Sequence, residues 1–112
     1  MLTIYHNPRC SKSRQTLALI EENNQEVTVV EYLKTPFTKE QIVNILKVLS
    51  VKPIEIMRTK EAEFSEQNLK EADDETLINA MVNTPKLVER PIVVKGNKAV
   101  IGRPPENVLT LI

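Results

Sequence analysis

The sequence predicts a single α/β domain, a mixed four-stranded sheet with a helical insert between the second and third strands. Three observations predict it. Two β-prone runs near the start, Leu2 to Tyr5 and Val27 to Tyr32, flank one helical segment, so they should pair in parallel through a right-handed crossover. Near the end, Ile92 to Lys95 and Lys98 to Ile101 flank Gly96-Asn97, the two-residue turn of a tight antiparallel hairpin. Between these pairs lie three segments with helical patterning.

The elements follow in order. Asn7-Pro8 ends the first strand. Ser11 and Ser13 suit a helix start, Leu17 and Ile20 follow at helical spacing, and Asn23-Asn24 stops the helix. Thr35-Pro36 is a break after the second strand. Thr38 with Gln41 forms a capping box, and Ile42, Ile45, Leu46 and Leu49 make one apolar stripe behind it. Pro53 opens a short helix carrying Ile54 and Met57. Residues 59–72 are polar with Phe64 and Leu69 as anchors, and read as surface helix and loop. Asp73 or Asp74 caps a helix bearing Leu77, Ile78, Met81 and Val82, which ends near Thr84-Pro85. Pro104-Pro105-Glu106 starts a last helix, with Val108, Leu109 and Leu111 packing back. This order corresponds to a thioredoxin-like fold, with the first βα turn at a carboxyl strand end where ligands tend to bind.

Composition narrows the function. A chain of 112 residues builds one core without disulfides or a structural metal. Basic and acidic residues balance at 15 each, which argues against a broad nucleic-acid-binding face. No apolar run approaches the roughly 20 residues of a membrane helix. The start MLTIYHNPRC lacks the pattern of a signal peptide, and the one cysteine permits no internal disulfide, so a cytoplasmic setting is expected. One cysteine and one histidine do not supply a closed zinc site, and no metal or bound cofactor is expected.

The chemistry concentrates at the first turn, His6-Asn7-Pro8-Arg9-Cys10-Ser11-Lys12-Ser13-Arg14. Backbone donors at a helix start favour thiolate over thiol, and Arg9, Lys12 and Arg14 add positive charge. A lone cysteine is often just a small buried hydrophobe, but polar and basic neighbours favour a reactive Cys10. A phosphatase-type anion loop needs Arg at position 16, which is Thr. A dithiol motif needs a second Cys at position 13, which is Ser. Any disulfide cycle must therefore use an external thiol. Arg58, Arg90 and Arg103 offer planar forks suited to tetrahedral oxyanions, although single arginines are more often solvated or salt-bridged. The hairpin lies beside the first strand in this fold, so Arg90 and Arg103 are expected to converge on the Cys10 turn. Pro91 is a candidate cis proline, since thioredoxin-like folds place one opposite the reactive cysteine. His6 either tunes the thiolate through a hydrogen-bond network or simply closes the strand end.

HNPRCSKSR, ERPIVV and IGRPPENVL, in this order, resemble the arsenate reductase (ArsC) family of the glutaredoxin-linked type, and within it the YfgD-like subgroup. The resemblance covers essentially the whole chain. It implies a catalytic cysteine at Cys10, oxyanion-binding arginines at Arg58, Arg90 and Arg103, and supporting roles for His6, Asn7, Ser13 and Arg14. It implies arsenate, or a similar oxyanion, as substrate, glutathione as co-substrate, glutaredoxin as partner and arsenic detoxification as role. The chain is expected to act as a monomer. Established members usually carry Gly-Thr after the cysteine, whereas this chain has Ser11-Lys12. The same family includes Spx-like regulators that bind RNA polymerase, typically with a CxxC pair at this turn; Ser13 weighs against that alternative. A thiol-dependent reductase of another substrate is the second alternative.

Overall fold

The computed structural model describes residues 2–112, which gather into two compact units. Among the described residues, one runs to Thr35 and resumes over residues 90–112, and the other is Pro36–Glu89.

The first unit is built on a four-stranded sheet of order β2-β1-β3-β4, from β1 (Leu2–His6), β2 (Val27–Glu31), β3 (Ile92–Lys95) and β4 (Lys98–Ile101). β1 pairs in parallel with β2, with His6 opposite Glu31, and antiparallel with β3, with Tyr5 opposite Ile92. Gly96 takes φ +58 in the hairpin turn between β3 and β4, a conformation that glycine adopts without a Cβ penalty. Helix α1 (Ser11–Glu22) makes the crossover from β1 to β2. Leu2, Ile4, Ile20, Val93, Val108 and Leu111 form the core cluster, bordered by Leu17, Val27 and Val100.

The sheet, crossover and hairpin agree with the sequence reading, and the element order is that of a thioredoxin-like fold. The closing segment needs a correction. Pro105–Thr110 is a 3₁₀ helix rather than an α-helix, and Leu109 does not pack back but is 44% exposed. With three residues per turn, Val108 and Leu111 share one face and Leu109 turns away from it.

The second unit holds α2 (Lys39–Leu49), a 3₁₀ turn at Pro53–Ile56, α3 (Ala62–Glu66), α4 (Asp74–Asn83) and a 3₁₀ turn at Pro85–Leu87. The capping box forms in full: Gln41 N–H donates to Thr38 Oγ1 at 3.1 Å, and Thr38 N–H donates to Gln41 Oε1 at 2.9 Å. Asp73 is the residue that caps α4, accepting from Thr76 N–H at 2.8 Å. Ile42, Ile45, Leu46, Leu77 and Met81 are buried, as are the anchors Phe64 and Leu69. The Pro85–Leu87 turn, unforeseen in the sequence, buries Leu87 and leads to Val88, which bridges to Met57.

Candidate active site

The reactive turn is shaped by its own backbone. Cys10 N–H donates to Asn7 O at 3.0 Å, and Arg9 N–H donates to Asn7 Oδ1 at 3.0 Å. Cys10 then occupies the N-cap of α1 in an extended conformation. Helices usually place a serine, threonine or aspartate oxygen there to accept from the first free N–H groups. Here no side-chain oxygen caps the helix and no acidic residue stands in its first turn. The Cys10 thiol stands at that position instead, and the backbone N–H groups of Ser13 and Lys12 favour its thiolate form.

Two arginines add to this. Arg103 Nη2 donates to Cys10 Sγ at 3.6 Å, while its Nε donates to Arg90 O at 2.7 Å and so ties the end of β4 to the entry of β3. Burial pushes the Cys10 thiol up, but the Ser13 N–H, the Arg90 guanidinium, the Lys12 N–H and the Arg103 guanidinium together outweigh it, and its pKa falls below the ordinary value. Arg90 is half-buried, and its Nε lies buried with no hydrogen-bond acceptor. Arg90–Pro91 is cis, in agreement with the sequence reading, and Arg103–Pro104, which was not anticipated, is cis as well.

Behind the cysteine sits a buried polar pair. Ser13 Oγ accepts from Asn7 N–H at 3.0 Å and lies 2.6 Å from His6 Nδ1. Because the oxygen already accepts from Asn7, its own proton is the one available to Nδ1. That arrangement suits a neutral ring with its proton on Nε2, Ser13 Oγ–H then donating to Nδ1. Burial holds the His6 pKa below its ordinary 6.5, and Arg14 pushes it the same way against an opposing pull from Glu31. His6 thus reaches the cysteine through Ser13, whose N–H faces the sulfur and whose hydroxyl faces the imidazole. Arg14 Nη1 donates to Pro8 O at 3.0 Å and braces the turn from outside.

Cys10, His6, Ser13, Arg14, Arg90 and Arg103 therefore form one constellation within the first unit. Arg58 belongs to the second unit, where its guanidinium pairs with Glu61 at 2.5 Å and with Glu89 at 3.7 Å. Two supporting residues escaped the sequence reading. Thr16 is fully buried on α1, and its Oγ1 donates to Lys12 O at 2.8 Å. Gly102 lies so close to it that a Cβ there would fall 2.5 Å from Thr16 Oγ1 and 2.7 Å from Pro91 Cγ. The faint signal in the sequence is a glycine directly before Arg103-Pro104, where the backbone must approach closely.

Residues 5–111 match the ArsC family. The chain is 53% identical over 112 residues to the uncharacterized protein YfgD of Escherichia coli K12, covering 97% of this chain and 94% of that one. It is 41% identical over 112 residues to an arsenate reductase of Haemophilus influenzae, covering 97% of each chain. The solved structure of an arsenate reductase from Vibrio cholerae has a TM-score of 0.94 to it at 43% identity, covering 99% of this chain and 97% of that one. A cysteine at the start of the first helix on a thioredoxin-like sheet, together with a match that runs almost end to end, places this chain in the ArsC family, in its YfgD-like subgroup.

Proposed function

We propose that this protein reduces arsenate to arsenite with Cys10 as nucleophile, glutathione as co-substrate and glutaredoxin as final reductant. The observation that carries the reading is the pairing of a thiolate-favouring N-cap sulfur with two arginines, one of which has a buried donor without an acceptor. A buried donor left unsatisfied costs about 1–3 kcal/mol. A tetrahedral oxyanion beside Cys10 supplies the acceptor that the protein does not. Its negative charge is met by the guanidinium forks of Arg90 and Arg103, with Arg58 as the third by family resemblance.

Each step balances. The Cys10 thiolate bonds to arsenic and one arsenate oxygen leaves as water after protonation. Glutathione then adds its sulfur to the same arsenic, its thiol proton leaving with a second oxygen as water. A glutaredoxin thiol attacks the glutathione sulfur; the arsenic–sulfur bond breaks and its electron pair stays on arsenic, which becomes As(III). Hydrolysis frees arsenite and the Cys10 thiol. Two external thiols end as one mixed disulfide, which is the two-electron requirement of a chain with a single cysteine. Naming of relatives as arsenate reductases supports the substrate.

The test is arsenate-dependent NADPH oxidation by the purified protein with glutathione, glutaredoxin and glutathione reductase. Turnover requiring both arsenate and glutathione is the expected outcome. An inert protein in the complete system, with Cys10 still alkylated readily, would assign the thiolate to another electrophile.

A further inference from the structure

A cleft of about 270 Å³ opens beside the reactive turn, within the first unit, lined by residues 6–9 of that turn and by Glu31, Leu33 and Lys34. None of these groups is used to hold the oxyanion. One of its lining residues, Asn7, holds the Cys10 turn directly, its carbonyl accepting the Cys10 N–H at 3.0 Å. The sheet order puts it on a definite side. The arginines come from the entry of β3 and the exit of β4, on one side of β1, whereas Glu31 to Lys34 follow β2 on the other side.

The lining has a specific charge pattern: two cations, Arg9 and Lys34, and one carboxylate, Glu31. Lys34 Nζ lies 3.5 Å from Glu31 Oε1, and that pair is well solvated, the side chains being 80% and 40% exposed. Such a pair holds its members loosely and exchanges partners at little cost. Leu33, 48% exposed, adds an apolar surface between them. The missing reactant in the proposed reaction is a small thiol. A glutathione-class tripeptide carries two carboxylates, one ammonium and short methylene stems, which is the complement of two cations, one carboxylate and a leucine.

We propose that this cleft binds the thiol co-substrate, a γ-glutamyl tripeptide of the glutathione class, and delivers its sulfur to arsenic on Cys10 from the side opposite the arginines. The inference rests on the reading of Cys10 as an arsenic-binding thiolate. In the step it serves, one arsenic–sulfur bond forms, one arsenic–oxygen bond breaks, and the thiol proton leaves on that oxygen as water. No electrons change hands until the second thiol arrives. Arg9 and Lys34 take the two carboxylates and Glu31 takes the ammonium, so the thiol is oriented by its ends and its sulfur is left free.

Two measurements on the full chain test this. In the first, S-methylglutathione, which binds but cannot react, is titrated into the protein without arsenate and followed by amide shifts. Movement at Arg9, Glu31, Leu33 and Lys34 is expected, and movement confined elsewhere would overturn the proposal. In the second, the variant Lys34→Ala is assayed. KM for glutathione should rise roughly tenfold, with KM for arsenate unchanged. Turnover with 2-mercaptoethanol, a thiol without charged ends, should be the same as wild type. An unchanged glutathione KM, or an equal rise in the arsenate KM, would remove the cleft from the thiol's path. The two readings fail separately: cleft shifts in a protein inert toward arsenate would keep the thiol site and overturn the substrate, whereas turnover with an unaltered variant would do the reverse.

Discussion

The two units bury different kinds of residue. The second unit's core is apolar, filled by Ile42, Ile45, Leu46, Phe64, Leu77 and Met81, and its charges form a partly exposed network in which Arg58, Glu61, Glu63 and Lys86 pair. The first unit buries His6, Ser13 and Thr16, the only polar side chains buried among the described residues. All three flank the Cys10 turn in sequence or hydrogen-bond across it. A buried polar group costs free energy unless it is fully hydrogen-bonded, so such groups collect where they serve something other than stability. The difference teaches where to look: the second unit reads as a packing problem, and the first as a site whose packing is constrained by chemistry.

The largest expected effect falls on activity alone. Cys10→Ser should lower arsenate turnover by about 10³-fold or more, because an alcohol stays protonated near neutral pH and is a weak nucleophile. Serine is also a good N-cap, so thermal unfolding should be little changed. Parallel loss of melting temperature and turnover would mean that Cys10 belongs to the packing class after all.

The next effect falls on stability. Gly102→Ala should cost about 1–3 kcal/mol, since its Cβ would overlap Thr16 Oγ1 and Pro91 Cγ at 2.5 and 2.7 Å, and neither ring nor helix yields easily. Gly96→Ala is the internal contrast. Nothing lies within 4 Å of its Cβ, and only the positive φ opposes it, at about 1 kcal/mol. Denaturant unfolding of both variants would rank them. A reversed order would show that α1 and the end of β4 are less tightly joined than the close approach indicates.

Much of this division is legible in the sequence, and the illegible parts share a cause. Periodicity locates β1, α1 and the apolar stripe of α2, because each depends on residues near one another in the chain. The Thr38–Gln41 box and the Gly96-Asn97 turn are local chemistry and read directly. Cys10 is legible because its neighbours are wrong for a buried hydrophobe. Thr16 and Gly102 are not, since their close approach joins positions 86 apart in the chain. Leu109 misleads because an apolar residue in a presumed α-helix is placed by a period of 3.6, whereas the segment winds with three residues per turn. The ion pairs of Arg58 are likewise invisible from its sequence position beside Met57.

A smaller effect concerns pH, and again the first unit alone should show it. Alkylation of Cys10 by iodoacetamide should have its midpoint below the ordinary thiol value of 9.0, and Arg103→Ala should move it upward. Because the folded pKa is depressed, the thiolate's contribution to stability is fully present above the unfolded value and is lost as pH falls through the folded one. His6 follows the same sign. Its folded pKa lies below 6.5, so the neutral ring's contribution holds above 6.5 and is lost as pH falls through the folded value. Stability measured from pH 7 downward should therefore decline more in wild type than in His6→Asn. Identical declines would mean that protonated His6 is accommodated at no cost.

The smallest stability effect is expected at Arg58, and it asks whether the second unit contributes to the chemistry. Arg58 pairs with Glu61 and Glu89, and these side chains retain roughly a fifth to a quarter of their exposure. Partly solvated pairs of this kind contribute on the order of 0–1 kcal/mol. Arg58→Lys keeps the charge and one donor toward Glu61, so unfolding should change by less than about 1 kcal/mol. The planar fork is lost, and with it bidentate hold on an oxyanion. If Arg58 is the third oxyanion ligand, KM for arsenate should rise while the alkylation midpoint of Cys10 stays put, because the charges that depress that thiol are Arg90 and Arg103. A variant with unchanged arsenate KM would confine the site to the first unit and leave Arg58 as the centre of a surface ion-pair network. A shift in the alkylation midpoint would instead place Arg58 beside the sulfur, coupling the two units through charge rather than through substrate.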